Sequence, residues 1–219
     1  MDEVGRGPLA GPVIAAAVIL NPKNSIVGLC DSKKLTAKRR TVLCLEIKQK
    51  AIAWAVGRAT VAEIDTLNIH HASLLAMQRA VNALAITPDQ AQFDGKFCPA
   101  VECMTEAIIK GDKKISAISA ASIIAKVTRD GEMLNWHQTY PQYGFDRHSG
   151  YATKQHLAAL QARDRSWQRR AKAFCIGVDE RKRKVSSLII MFRRVVAPDR
   201  TAERHRAPLE AAAISSAGH

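Results

Sequence analysis

The sequence predicts an α/β layer fold over its first 162 residues, on three observations. Short aliphatic runs of strand character alternate along the chain with longer segments of helical periodicity, the pattern of helices packed on a sheet. Acidic residues recur where strands are expected to end, at Asp2-Glu3, Asp94 and Asp112, and sites in α/β sheets form outside strand ends. Hydrophobic residues make up 47% of the 219 but aromatic residues only 5%, so the core must be aliphatic and rich in alanine.

Each element has a local reason. Residues 13–20, Val-Ile-Ala-Ala-Ala-Val-Ile-Leu, are short, aliphatic and bounded by Pro12 and Asn21-Pro22, which predicts a buried strand. Asp2 and Glu3 are expected to end an earlier portion of the same ribbon. Thr36 can cap a helix over about 37–50, with Val42, Leu43, Leu45, Ile47 and Ala51 on its apolar side. Residues 51–60 alternate imperfectly and predict a strand ending near Gly57-Arg58. Asn68 or a neighbour opens a helix over about 69–84, where Ile69, Leu74, Met77, Ala80, Val81 and Leu84 recur at helical spacing. Ala91-Gln92-Phe93 feeds the Asp94-Gly95 turn, and residues 102–110 form a strand closed by Gly111-Asp112. Residues 116–133 form the helix with the clearest pattern, Ile118, Ala121, Ile124, Ala125 and Val127 being apolar. Residues 140–150 are expected to be an aromatic-rich loop, and Thr153 caps a short helix to about Ala162.

Composition narrows the function classes. No apolar run approaches the ~20 residues of a membrane span, and the 13–20 run lacks the basic region of a signal peptide. The five cysteines are odd in number and form no C-x-x-C pair, which reads as reduced thiols in a cytoplasmic protein without a zinc site. The net charge of +13 points to an anionic partner. Residues 1–162 carry 19 Lys and Arg against 14 Asp and Glu, whereas residues 163–206 carry 14 against 5. Most of the excess therefore lies in the C-terminal quarter, and specific sites must carry the nucleic-acid case in the first 162 residues.

Those sites begin at the first eight residues. Asp2 and Glu3 run straight into Gly5-Arg6-Gly7. Carboxylate oxygens are the ligands that hard divalent cations prefer, and a Gly-Arg-Gly turn lets backbone N–H groups and one guanidinium approach a phosphate. A charged terminus before an ordinary turn is the alternative. Asp31-Ser32-Lys33-Lys34-Leu35 sets a hydroxyl and two ammonium groups in one loop, suited to backbone phosphates; an ordinary solvated loop is the alternative. Tyr151, in the Gly-containing turn His148-Ser149-Gly150-Tyr151, can stack on a sugar or reach a 2′-OH, or be a plain surface or core aromatic. Asp before Gly is common in turns, so Asp94 alone carries little.

Together these segments resemble the ribonuclease HII (type 2 ribonuclease H) family. The resemblance rests on D-E-V-G-R-G-P-L-A-G-P-V, D-S-K-K-L, I-D-x-L-N-I, D-G, K-G-D, A-A-S-I-I-A-K-V-T-R-D and Y-P-Q-Y-G-F-x-x-H-x-G-Y, in the family's order over residues 2–160. It implies an RNase H-like fold, a central mixed β-sheet flanked by helices with a helical C-terminal part. It implies an endonuclease acting on the RNA strand of RNA–DNA hybrids and on duplex DNA containing single ribonucleotides, with a place in ribonucleotide excision repair. The family's metal-binding catalytic carboxylates fall on Asp2, Glu3, Asp94 and Asp112, its Gly-Arg-Gly element on Gly5, Arg6 and Gly7, and its junction-sensing tyrosine on Tyr151; Ser32, Lys33 and Lys34 join the substrate-binding set. Asp130 belongs to the helix motif and is not placed among the ligands. Four carboxylates in one pocket are untenable without cations, so two Mn²⁺ or Mg²⁺ ions about 4 Å apart are expected, one activating water and one stabilising the leaving 3′ oxygen. A membrane partner is not expected, and a monomer is. A regular strand would point Asp2 and Glu3 to opposite faces; a bend before Gly5 would bring both to one site.

Two departures accompany the resemblance. Family members have several residues ahead of the Asp-Glu pair, whereas Met1 directly precedes Asp2 here. The first strand is therefore expected to be truncated, to lack ladder partners on its N-terminal side, and to leave Asp2 beside a mobile α-amino group; an incomplete chain start would account for this. After Ala162 only Arg169, Arg170 and Phe174 echo the family, so 1–162 is read as the catalytic domain and 163–219 as a divergent basic segment, with disorder expected over 207–219. A reading-frame change or a basic arm adding salt-sensitive affinity would account for it. Ser149 stands where the family often has Lys, and Cys30 where it often has Asn. The alternative functions are a catalytically impaired RNA–DNA hybrid-binding protein and a basic structural nucleic-acid binder driven by residues 163–206.

Overall fold

The computed structural model describes residues 1–163; the expectations for the basic segment beyond them, its tail included, lie outside the described residues. The strands are β1 (Asp2–Val4), β2 (Val13–Ile19), β3 (Ala53–Ala59), β4 (Gln90–Asp94) and β5 (Met104–Ile108). β1 pairs antiparallel with β2, Asp2 opposite Ala16 and Val4 opposite Ile14, and β2 pairs antiparallel with β3 along its full length. β4 and β5 are parallel, with Asp94 opposite Ile108. Met1 joins the two ladders: its amino group donates to the Gln92 carbonyl at 2.7 Å and its carbonyl accepts from the Asp94 N–H at 3.0 Å, the slanted pattern of parallel neighbours. The ladders are β1-β2-β3 and β4-β5, and the Met1 bonds set β4 beside β1, for a mixed arrangement in the spatial order β3-β2-β1-β4-β5. The α-amino group expected to be mobile is therefore pinned, and Met1 is buried.

The helices are α1 (Ala37–Lys50), α2 (Val61–Asn82), α3 (Ser116–Thr139), α4 (Phe145–His148) and α5 (Lys154–Arg163). Side chains alternate across β2, so Val13, Ala15 and Ala17 pack with α2 and Phe93 on one face, while Ile14 and Ala16 pack with α1 and α3 on the other. Leu9, Ala10, Met133, Tyr143, Phe145 and Leu160 form a third cluster under the C-terminal helices. No helix among the described residues is long and apolar enough to cross a membrane. The four described cysteines are free thiols.

One expectation is extended and three need correction. The helix expected to open at Asn68 is present, but a further helical stretch precedes it from Val61, because Thr60 and Glu63 form a reciprocal capping box, and the two run together as α2. Asn68 (φ 69°) kinks α2 where the two stretches meet, and its Oδ1 accepts from the His70 and His71 N–H groups, capping the second stretch as expected. Val42 and Leu45 of α1 are exposed; Leu43, Cys44 and Ile47 supply the buried side. Helix α3 continues to Thr139, beyond the expected end at Met133, and the aromatic-rich stretch is no plain loop: a 3-10 turn (Pro141–Tyr143) and α4 stack Tyr143 on Phe145 with centroids 5.6 Å apart.

Candidate active site

The strand order brings the carboxyl ends of β1 and β4 side by side, and the turn after β5 completes the arrangement. Asp2, Glu3, Asp94 and Asp112 line one cavity of about 270 Å³. The short β1 gives way to Gly5 at φ 107°, so both acidic neighbours reach the same cavity from a strand only three residues long. The Asp2 carboxylate turns back to accept from the Glu3 N–H at 2.7 Å. Asp94 accepts from the Gly111 N–H at 2.7 Å. Lys110 takes a left-handed conformation (φ 58°) that turns the chain after β5 into the 3-10 turn Gly111–Lys113. Ser119 of α3 holds that turn, its hydroxyl donating to the Asp112 carbonyl at 2.6 Å.

The expected substrate-binding residues gather at the same place. Gly5, Arg6, Gly7, Ser32, Lys33 and Tyr151 all line the cavity, whereas Lys34 lies outside its lining. A Cβ built on Gly7 would stand 3.5 Å from the Tyr151 ring, so glycine turn and tyrosine are in contact range. Tyr151 is 41% exposed, its ring open to a ligand. Arg6 bonds Glu3 Oε1 at 3.2 Å. The sequence reading missed four lining residues, the apolar Val4 and the polar Asp31, Ser122 and Lys126. Asp31 is buried and caps the 3-10 turn Ser32–Lys34 by accepting from the Lys33 N–H. Asp beginning a turn of basic residues was the available signal, and it reads equally as a cap. Lys126 bonds Asp130 at 2.8 Å and sets its ammonium 5.9 Å from the Tyr151 ring centroid.

The carboxylates repel one another. Burial, then the Glu3 and Asp94 charges, hold the Asp2 carboxyl well above the usual range. Burial raises Glu3 also, partly offset by Arg6. Burial and the Asp94 and Asp31 charges raise Asp112. Among the described residues, no three His, Cys, Asp or Glu side chains stand close enough to hold a metal ion. The donor chemistry nonetheless fits a hard divalent cation: the acids offer oxygen alone, and Glu3 Oε2 is buried with no hydrogen-bond partner.

This repulsion has a signed consequence. Carboxyls raised in the folded chain contribute stability that is fully present below their unfolded value, about 4, and lost as pH rises through their raised folded values. A divalent cation that binds only the folded chain offsets that loss. Mn²⁺ is therefore expected to raise the melting temperature more at about pH 8 than at about pH 5, where protons compete for the same oxygens. Thermal melts with and without Mn²⁺ at both pH values measure it; equal shifts would count against these groups as the ligands.

A family model described as Ribonuclease HII matches residues 1–174. The chain is 60% identical over 164 residues to the Ribonuclease HII of Ralstonia nicotianae, covering 74% of this chain and 70% of that protein. Among solved structures it is similar to the ribonuclease H2 of Pyrococcus horikoshii OT3, with a TM-score of 0.64, 27% identity and coverage of 88% of this chain and 96% of that one. Its fold is also that of Bst-RNase HIII in complex with Mn²⁺, at TM-score 0.55, 18% identity and coverage of 75% and 69%.

Proposed function

The chain belongs to the ribonuclease HII family, and on that premise we propose that it is a metal-dependent endoribonuclease that hydrolyses the RNA strand of RNA–DNA hybrids and cuts at single ribonucleotides embedded in duplex DNA. The observation that carries this reading is the convergence of Asp2, Glu3, Asp94 and Asp112 with the Gly-Arg-Gly turn and Tyr151 on one cavity. Residues 1–162 form the catalytic domain in this reading, and excision of misplaced ribonucleotides in the cytoplasm is its setting.

Asp2, Glu3, Asp94 and Asp112 would hold two divalent ions, Mn²⁺ or Mg²⁺. When bound, such ions neutralise the carboxylates, sharpen a water for attack on phosphorus and stabilise the leaving 3′ oxygen. The chain's own residues do the rest. Gly5 and Gly7 admit the sugar–phosphate backbone without Cβ obstruction. Arg6, half exposed beside Glu3, offers a planar fork to a phosphate. Lys33 and Ser32 face the same cavity and grip the flanking backbone. Base edges do not separate RNA from DNA, so ribose must be read at its 2′-OH; in this reading Tyr151 does so, and its contact range to Gly7 supports that role.

Tyr151→Phe keeps the ring and removes the hydroxyl. It is expected to lower cleavage at a single embedded ribonucleotide about tenfold, the worth of one hydrogen bond to a charged or polarised group, while duplex binding changes less. Single-turnover rates and a binding titration on the same duplex test this; equal losses in the two assays would remove Tyr151 from ribose reading.

A further inference from the structure

Arg129, in the middle of α3, is fully buried and forms no ion pair among the described residues. Its neighbours' charges are otherwise engaged: Asp130 bonds Lys126 and Arg40, and Glu132 pairs with Arg58. All three guanidinium nitrogens donate instead to backbone carbonyls, Nε to Pro12 at 3.1 Å, Nη2 to Ala10 at 2.7 Å and Nη1 to Ser149 at 2.9 Å. Burying a cation without a carboxylate carries a large desolvation cost, and an apolar side chain of similar volume fills such a space without it. What a guanidinium adds is a rigid fork of donors pointing in fixed directions.

Those directions tie two segments far apart in sequence. Ala10 and Pro12 follow the Gly-Arg-Gly turn; Ser149 lies two residues before Tyr151. Ser149 adopts the left-handed region at φ 45°, and Gly150 follows at φ 85°. A non-glycine residue stays there only where its surroundings hold it, and here Arg129 holds its carbonyl. The seam is otherwise narrow: Leu9 N–H donates to the Gly150 carbonyl at 2.8 Å, and a Cβ on Gly150 would meet the Ala10 carbonyl oxygen at 2.7 Å. On the other side, a Cβ on Gly5 would come within 2.8 Å of Arg129 Nε. The geometry points to Arg129 as a positioning residue that fixes Tyr151 against the Gly-Arg-Gly turn and so sets the discrimination between ribose and deoxyribose. This rests on the functional reading above.

The test compares kcat/KM on a duplex bearing one embedded ribonucleotide with kcat/KM on an RNA–DNA hybrid, in Mn²⁺, for the unaltered chain, Arg129→Lys, Tyr151→Phe and the double variant. Lysine keeps the cation and stem but cannot make three divergent bonds. A misplacement on the 1 Å scale can cost on the order of 10²-fold, and the hybrid offers many ribose contacts in place of one. Arg129→Lys is therefore expected to lower the embedded-to-hybrid ratio about tenfold. In the double variant the ratio should fall no further than in Tyr151→Phe alone, because residues that act as one unit are not additive. A merely structural arginine would lower both substrates together and leave the ratio unchanged; that result, or multiplicative losses in the double variant, overturns the assignment. If Arg129→Lys does not fold, Gly150→Ala disturbs the same seam from the other side, and an unchanged ratio there overturns it equally. If the unaltered chain cuts neither substrate, the functional reading falls, and this assignment with it.

Discussion

Asp94→Asn is expected to lower cleavage of a duplex bearing one embedded ribonucleotide in Mn²⁺ by about 10²–10³-fold, the scale of removing one preorganised charge-stabilising group. The substitution is nearly isosteric. Asparagine Oδ1 can still accept the Gly111 N–H that Asp94 accepts at 2.7 Å, so the turn carrying Asp112 stays in place. Only the charge is lost, and with it one of the acids expected to hold cations. Asp94 also stands among the charges that raise the Asp2, Glu3 and Asp112 carboxyls. Its neutralisation therefore relieves repulsion in the metal-free chain, and the variant should melt no lower than its parent above neutral pH. Loss of activity with retained or increased stability is the mark of a functional group kept at a cost to the fold. Duplex binding should persist, because Arg6, Lys33 and Tyr151 are untouched. Cleavage within tenfold of the parent would remove Asp94 from the ligand set; if the unaltered chain binds hybrid but cuts nothing in Mn²⁺, the binding-only alternative holds.

Gly57→Ala is expected to have the largest effect on stability, about 3 kcal/mol or more, the upper range for forcing a methyl into a packed core. Gly57 lies in the middle of β3, opposite Ala15 of β2. A Cβ there would collide with the Ala76 carbonyl and the Ala80 N–H of α2. Those contacts are backbone, which cannot swing aside as a side chain would, so α2 must move off the sheet. Ala72, Ala76 and Ala80 are fully buried along that line, which is how the helix comes so close. Urea or thermal denaturation measures the loss. A change under 1 kcal/mol, the ordinary scale of a surface substitution, would mean that α2 does not sit as tightly on β3 as described.

The same two sites show how far the sequence is legible. Aliphatic runs, turn residues and caps are local signals, so the strands fall close to where they are expected and Thr36 caps α1 by accepting from the Arg39 N–H. Where the reading errs, a second local signal competes. Asn68 caps the second stretch of α2 as expected, but the Thr60–Glu63 box eight residues earlier opens a first stretch that the reading omits. Val42 and Leu45 are apolar and yet exposed, because α1 is covered on one side only, chiefly by α3. Lys34 carries the same charge as Lys33 and sits beside it, but the 3-10 turn directs only Lys33 into the cavity. Asp31 reads as a plain cap until the fold sets it near Asp112.

Taken alone, the sequence determined the kind and order of the elements and the chemistry available, oxygen donors for hard cations beside a glycine-lined phosphate grip, because periodicity, capping and residue type act over a few positions of chain. Only the tertiary structure decided that Met1 joins β1 to β4, that four acids separated by up to 110 positions share one cavity, and that Arg129 bonds the carbonyls of Ala10, Pro12 and Ser149. Those outcomes depend on strand order and on backbone carbonyls as acceptors. Every residue carries a carbonyl, so no pattern of side chains announces which ones a buried guanidinium will find.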